Sequence, residues 1–234
     1  MGKIVNVAAP EGVVLKDDFQ VRVRSCGEEQ WQTLSCYQVW VDMHEKRAAS
    51  MACFDFSGKV EVEITCPHLY FIYRVDIRPL AAGIQAEYDS KTIRFTLDCP
   101  RKLSVEVNGE RFHNLHLFAG ALQEDIPEPE SGSTLFLPGR QGGAALYRMD
   151  ELLVALQAMP EGRTVYFGPG LHYLEECTMQ IPSNTNVYLA AGAVLVGSLI
   201  VNREENIRIF GRGCLLLSNF ERFTGLNAIR ISHG

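Results

Sequence analysis

At 234 residues the chain has room for one large domain or two ordinary ones. Apolar residues make up 47% and charged residues 21%, a balance that excludes a disordered chain. The net charge of −6, with basic residues scattered, gives no footprint for nucleic acid or an anionic membrane.

The opening run MGKIVNVAAPEGVVLKDDF lacks the apolar core of a signal peptide, and no stretch approaches the roughly 18 apolar residues of a membrane span. A cytoplasmic location is expected. The seven cysteines (Cys26, Cys36, Cys53, Cys66, Cys99, Cys177 and Cys214) form no CxxC pair, and several sit in apolar runs such as MACFDF and GCLLL. They read as reduced thiols rather than bridges or metal ligands.

The first half alternates apolar and polar residues: Phe19 to Arg24, Lys59 to Ile64, Arg74 to Arg78, Thr92 to Leu97, Ser104 to Val107. Period two places one face on a core and the other in water. Turn signals at Ser57-Gly58, Asp89-Ser90 and Asn108-Gly109 separate the runs, so residues 1–120 are expected to form an antiparallel β-sandwich. Residues 121–148, rich in Pro, Gly and acids, are expected to be an extended, solvated linker. One short helix is expected from Met149 to Met159, with acids at its start and Pro160 after it.

From Val165 the pattern changes again. Similar triplets begin at Val165, Val187, Ile207 and Ile229, at intervals of 22, 20 and 22 residues. Further short strands lie between them: Met179 to Ile181, Ala193 to Val196, Leu199 to Val201, Leu215 to Leu217. Turns fill the gaps, and no helix or leucine-rich signature fits. Stacked supersecondary units of this kind make a parallel β-helix, so residues 149–234 read as a short helix and the first coils of one, truncated at the fourth.

Several residues carry candidate chemistry and a plainer alternative. Glu175-Glu176 and Glu204-Glu205 are paired carboxylates, but neighbours on a strand point apart, and both pairs read as solvated edge or turn residues. Gly168-Pro169-Gly170 and Gly211-Arg212-Gly213 open no helix and read as tight corners. Gly139 to Gly143 lacks the Lys-Ser/Thr of a phosphate loop. His113 and His116 lie without nearby cysteines or acids and read as strand-end residues, and His233 is close to the end of the chain. Trp31, Trp40, Tyr37 and Tyr70 are candidates for a sugar-stacking platform. Trp40 faces away from the Tyr37, Val39 and Val41 side, and is expected to pack under a loop or against the β-helix.

The strings from Tyr166 to His172, from Ile181 to Gly197 and from Ile209 to Gly213 resemble the first coils of glycoside hydrolase family 28. This is the polygalacturonase-like family, and a related dextranase family shares the architecture. The resemblance implies a β-sandwich before a right-handed parallel β-helix. It also implies inverting hydrolysis of a polysaccharide, pectic or another plant glycan, by paired aspartates on adjacent coils. The family's later motifs (Asn-Thr-Asp, Asp-Asp, Gly-His-Gly, Arg-Ile-Lys) are absent, and no aspartate follows Asp150. No catalytic, cofactor-binding or metal residue is therefore assigned. The leading expectation is the N-terminal portion of such a hydrolase, inactive alone and prone to self-association through the open β-helix end. A non-catalytic carbohydrate-binding module and a vestigial structural fragment are the alternatives.

Overall fold

The computed structural model describes residues 2–41, 45–140, 142–217, 220 and 227–233. Position 141, inside the Gly139 to Gly143 run, lies outside them. The chain divides into two compact units, one of Met1–Ala9 with Val13–Gln123 and one of Pro10–Gly12 with Glu124–Gly234.

In the first unit the described strands are β1 (Ile4–Asn6), β2 (Gln20–Ser25), β3 (Gln32–Leu34), β4 (Tyr37–Val41), β5 (Arg47–Phe56) and β6 (Val60–Thr65). They continue with β7 (Val75–Arg78), β8 (Glu87–Tyr88), β9 (Thr92–Leu97), β10 (Arg101–Val107) and β11 (Leu115–Ala121). One sheet runs β1-β5-β11-β10-β7 with β4 also on β5; the other runs β3-β2-β6-β9-β8. Alternation puts Val21, Val23, Val62, Ile64, Ile93 and Phe95 on the inner face of the second sheet. Facing them in the same core are Ala52, Phe54, Leu103, Val105, Leu115 and Leu117 of the first. Each fully buried large aliphatic or aromatic side chain contributes about 1.5–3 kcal/mol, and this shared core holds the two sheets together as a sandwich. Its pairings are antiparallel except β11 on β5, which is parallel.

The second unit contains β12 (Thr134–Leu137), β13 (Ala144–Tyr147), the helix α1 (Met149–Gln157), β14 (Arg163–Phe167), β15 (Gly170–Gln180) and β16 (Thr185–Leu189). It ends with β17 (Ala193–Asn202), β18 (Arg208–Gly211), β19 (Cys214–Leu216) and β20 (Ile229–Ser232). The ladders between its described strands are parallel: β12-β14-β16-β18 form one side, and β13-β15-β17-β19 the next. The far halves of β15 and β17, with β20, make a third side. This is a parallel β-helix. Leu137, Phe167 and Leu189 stack in register inside it, as do Leu135, Val165, Val187 and Ile209.

The repeat resides in the corners as well as the strands. Gly162, Asn184 and Asn206 all have left-handed backbone, with φ of 75°, 58° and 56°. Each begins the approach to the first side of a coil, and glycine and asparagine are the residues that occupy this region at least cost.

Three expectations are corrected by these pairings. Residues 134–137 and 144–147, assigned to the linker, are the two strands of the first coil. The helix inserted after them stretches the interval to the next coil to 30 residues, Leu135 against Val165, which hides it from a search at 22. The third triplet is displaced by two positions: Val187 stands against Ile209, not Ile207, so the interval from β14 to β16 and from β16 to β18 is the same 22. Ile229-Arg230-Ile231 opens no new coil, since it lies on Leu199 to Val201 and closes the third side of the fourth.

The seven cysteines are unbridged. Burial pushes the thiols of Cys36 and Cys66 up to about 11, so they are poor nucleophiles near neutrality. Among the described residues no helix is long and apolar enough to cross a membrane.

Candidate functional site

The constant register of the first coil side writes two outward ladders. Phe136, Tyr166, Tyr188 and Phe210 occupy equivalent positions, with successive ring centroids 5.3, 4.8 and 5.1 Å apart. Two residues earlier on each strand, Thr134, Thr164, Asn186 and Arg208 form a polar ladder beside it. The segment from Asp125 to Ser133 borders this ladder, and between them lies a groove of about 390 Å³. The Arg208 guanidinium stacks 4.0 Å from the Phe210 ring and donates Nη1–H to Asp125 Oδ2 at 3.1 Å. Glu128, Ser131 and Ser133 complete the rim. Hydroxyl, amide, guanidinium and carboxylate groups in a row, with the Phe210 ring among them, suit a ligand bearing many hydroxyls. None of these ladder residues is conspicuous in the sequence, because the polar position is filled by three different residue types.

The coil glutamates are occupied structurally. Four residues, Leu174 to Cys177, interrupt the register of β15 and carry Glu175 and Glu176 outward. Arg148, which precedes α1, makes no side-chain cap; Glu176 Oε2 accepts the Met149 N–H at 3.1 Å instead. A carboxylate at a helix N-terminus satisfies an orphan donor and faces the positive end of the helix dipole. Glu175 lies 3.6 Å from Arg148. Glu204 accepts hydrogen bonds from both the hydroxyl and the N–H of Ser183 on the preceding coil, and these bonds hold its carboxyl below the usual range.

The other candidates separate. Gly170 and Gly211 have φ of 119° and 126°, and a Cβ on Gly213 would meet Leu189 and the backbone, so both glycine pairs are corners. His113 Nδ1 lies 2.9 Å from the Ala48 carbonyl, and burial lowers the pKa of His116 on β11. Among the described residues no three His, Cys, Asp or Glu come together as a metal cluster. The aromatic platform is not formed by the four residues named for it. Tyr37 is in the core, Tyr70 is 90% exposed, and Trp40 is 61% exposed rather than packed under cover. Trp31 lies over Arg22 and Arg24 on the other sheet.

One further titratable group is inconspicuous in the sequence. His172 is fully buried; its Nε2–H donates to the Gly168 carbonyl at 2.6 Å. The Tyr147 hydroxyl lies 3.3 Å from Nδ1 and donates to the Pro138 carbonyl at 2.9 Å. Burial drives the imidazole toward its neutral form and lowers its pKa, against the opposing effect of the Gly168 bond. Between that lowered value and the ordinary one near about 6.5, the unfolded chain binds more protons than the folded one. Stability is therefore full above this window and falls as pH drops through it. Urea midpoints measured from pH 7.5 down to 5 are expected to decline, and His172→Gln is expected to flatten part of that slope. An unchanged slope in the variant would remove His172 from this role.

No protein-family model matches the chain, and no curated protein does. Among solved structures it is similar to Dex49A from Penicillium minioluteum, with a TM-score of 0.59 and 18% identity over 92% of this chain. It spans about half of that chain, 48%. The likeness carries the fold, a sandwich followed by a parallel β-helix.

Proposed function

We propose that this chain is the N-terminal portion of a polysaccharide-degrading glycoside hydrolase of the β-helix type, related to the polygalacturonase-like enzymes. The observation that carries this reading is the parallel β-helix that follows a sandwich in the chain, the fold it shares with Dex49A, with a hydroxyl-complementary groove along its first side. On this reading residues 124–234 supply scaffold and part of the substrate-contacting surface, and the catalytic acids belong to later coils. Inverting hydrolysis needs one carboxyl that keeps its proton and another that activates water. Asp125 is tied to Arg208, Glu176 to the helix N-terminus, and the Glu204 carboxyl is pushed down rather than up. A second reading, a module that binds glycan without cleaving it, is favoured by the same groove.

The test is reducing-end release from dextran, homogalacturonan and other glycans. The 234-residue chain is expected to release none. The protein extended by the coding sequence that follows Gly234 is expected to turn over. A reading frame that ends at Gly234, or an extended protein with no activity, overturns the hydrolase reading and leaves the binding module.

A further inference from the structure

The outer face of the sheet β3-β2-β6-β9-β8 carries a lattice of opposite charges that alternation alone dictates. Arg24 stands against Glu61, Arg22 against Glu63, and Glu63 against Arg94. The bonds are short: Arg24 Nε–H to Glu61 at 2.7 Å, Arg22 Nε–H to Glu63 Oε1 at 2.6 Å, Arg94 Nε–H to Glu63 Oε2 at 2.8 Å. The Glu63 side chain is only 8% exposed and spends one oxygen on each arginine. Burial alone raises the pKa of its carboxyl, and the two guanidiniums outweigh that and lower it.

A solvated ion lattice needs neither a roof nor a hollow, because exposed pairs contribute about 0–1 kcal/mol each whatever their surroundings. This one has both. The Trp31 ring lies 4.7 and 4.4 Å from the guanidinium carbons of Arg22 and Arg24, and a hollow of about 460 Å³ opens beside it, rimmed by Gln85 and Glu87.

We propose that this hollow is a second glycan-binding site, which takes an uncharged oligosaccharide on the Trp31 ring and the arginine–glutamate lattice. The ligand class follows from charge. Arg22, Arg24 and Arg94 are matched by Glu61, Glu63 and Glu87, so a uronate or phosphate has no unbalanced cation to meet. It would have to displace a carboxylate already bonded. A neutral hydroxyl is recognised by both members of each pair, accepting from a guanidinium N–H and donating to a carboxylate. The C–H groups of a sugar ring pack against the part of the indole that borders the hollow. Nε bonds hold the guanidinium planes in place, so little side-chain freedom is lost on binding. The choice of a glycan among polyols rests on the polysaccharide reading above; the site itself rests on this face alone.

The chain has two tryptophans, so Trp40→Phe leaves Trp31 as sole indole reporter. Its emission is to be titrated with isomaltotriose, maltotriose and cellotriose, and with trigalacturonate and inorganic phosphate as charged counterparts. Saturable change with at least one neutral trisaccharide, and none with the charged probes, is expected. In calorimetry on the parent chain, Trp31→Ala is expected to weaken that binding about tenfold, the scale of one lost aromatic contact. Trp31→Phe should restore part of the loss, which separates ring stacking from a folding defect. Glu87→Gln, at the exposed rim, should weaken binding with the melting temperature unchanged. No binding of any neutral trisaccharide, tighter binding of trigalacturonate, or full affinity in Trp31→Ala each overturns the proposal. None of these outcomes alters the reducing-end assay, so the hydrolase reading stands or falls separately.

Discussion

A Gly211→Ala chain is expected to lose its fourth coil. Gly211 ends β18 with φ of 126°, outside the range that L side chains adopt readily. A Cβ there would lie 1.9 Å from the Leu189 carbonyl oxygen, and within 2.9 Å of the carbon and nitrogen of the same residue. That oxygen accepts the N–H groups of Arg212 and Gly213 at 2.9 and 3.0 Å, the bonds that turn the chain from the first coil side to the second. The methyl group meets backbone on the coil below, and no rotamer relieves it. Strain at such a φ costs about 1–3 kcal/mol and overpacking a similar amount, so a loss of roughly 2–6 kcal/mol is expected. Hydrogen exchange read on peptides from β18 and β19 should show it as lost protection. Gly132→Ala is the control, since nothing lies within 4 Å of its Cβ position and its φ is ordinary. Protection of β18 and β19 equal to the parent's would mean that the corner yields, contrary to this geometry.

The second large effect is expected at Phe167. Its side chain is fully buried between Leu137 and Leu189 of the neighbouring coils. The ring meets His172 edge-on at 5.2 Å and Tyr147 at 6.2 Å. Truncation to alanine empties the middle of the column and removes the edge-to-face partner of both. Phe→Ala in a packed core costs about 3–5 kcal/mol, against a total of about 5–15 for a domain. Phe167→Leu matches the residues above and below it, and should recover most of the loss. Exchange protection across β14 to β17 is the readout. A Phe167→Ala chain protected like the parent would show that the coil interior collapses around the hole.

The strands of the sandwich were legible because one face of each is wet and the other dry, so β2, β6 and β9 announce themselves by alternation. The coils were legible through the recurrence of similar apolar triplets with short strands and turns between them. The first coil was not. Thr134-Leu-Phe-Leu137 follows a Pro- and acid-rich stretch, and the helix after Tyr147 breaks the interval that would have revealed it. The phase error at Ile207 has a simple origin: Ile207 and Ile209 alternate identically around Arg208, and only the partner strand distinguishes them. The orientation of Trp40 was readable from period two, but what covers an outward side chain depends on chain remote in sequence. The polar ladder of the candidate groove was illegible for another reason. Thr134, Thr164, Asn186 and Arg208 share a position, not a chemistry, and position becomes visible only with register.

The parallel pairing of β11 on β5 has a consequence for how the molecule forms. Leu115 lies against Ser50, 65 positions earlier, whereas the coil strands lie against residues 20 to 30 positions earlier, as Val187 does at 22 from Val165. Closing the longer loop costs about 1 kcal/mol more in chain entropy before any contact compensates for it. Low contact order makes the coils propagate one on the next, while the sandwich must await a distant strand, and non-local parallel pairing is slow. The half of the chain synthesised first is therefore the half with the slower closing step. A ribosome that has released only β1 to β10 presents β5 with β1 and β4 as possible neighbours and its central partner still missing.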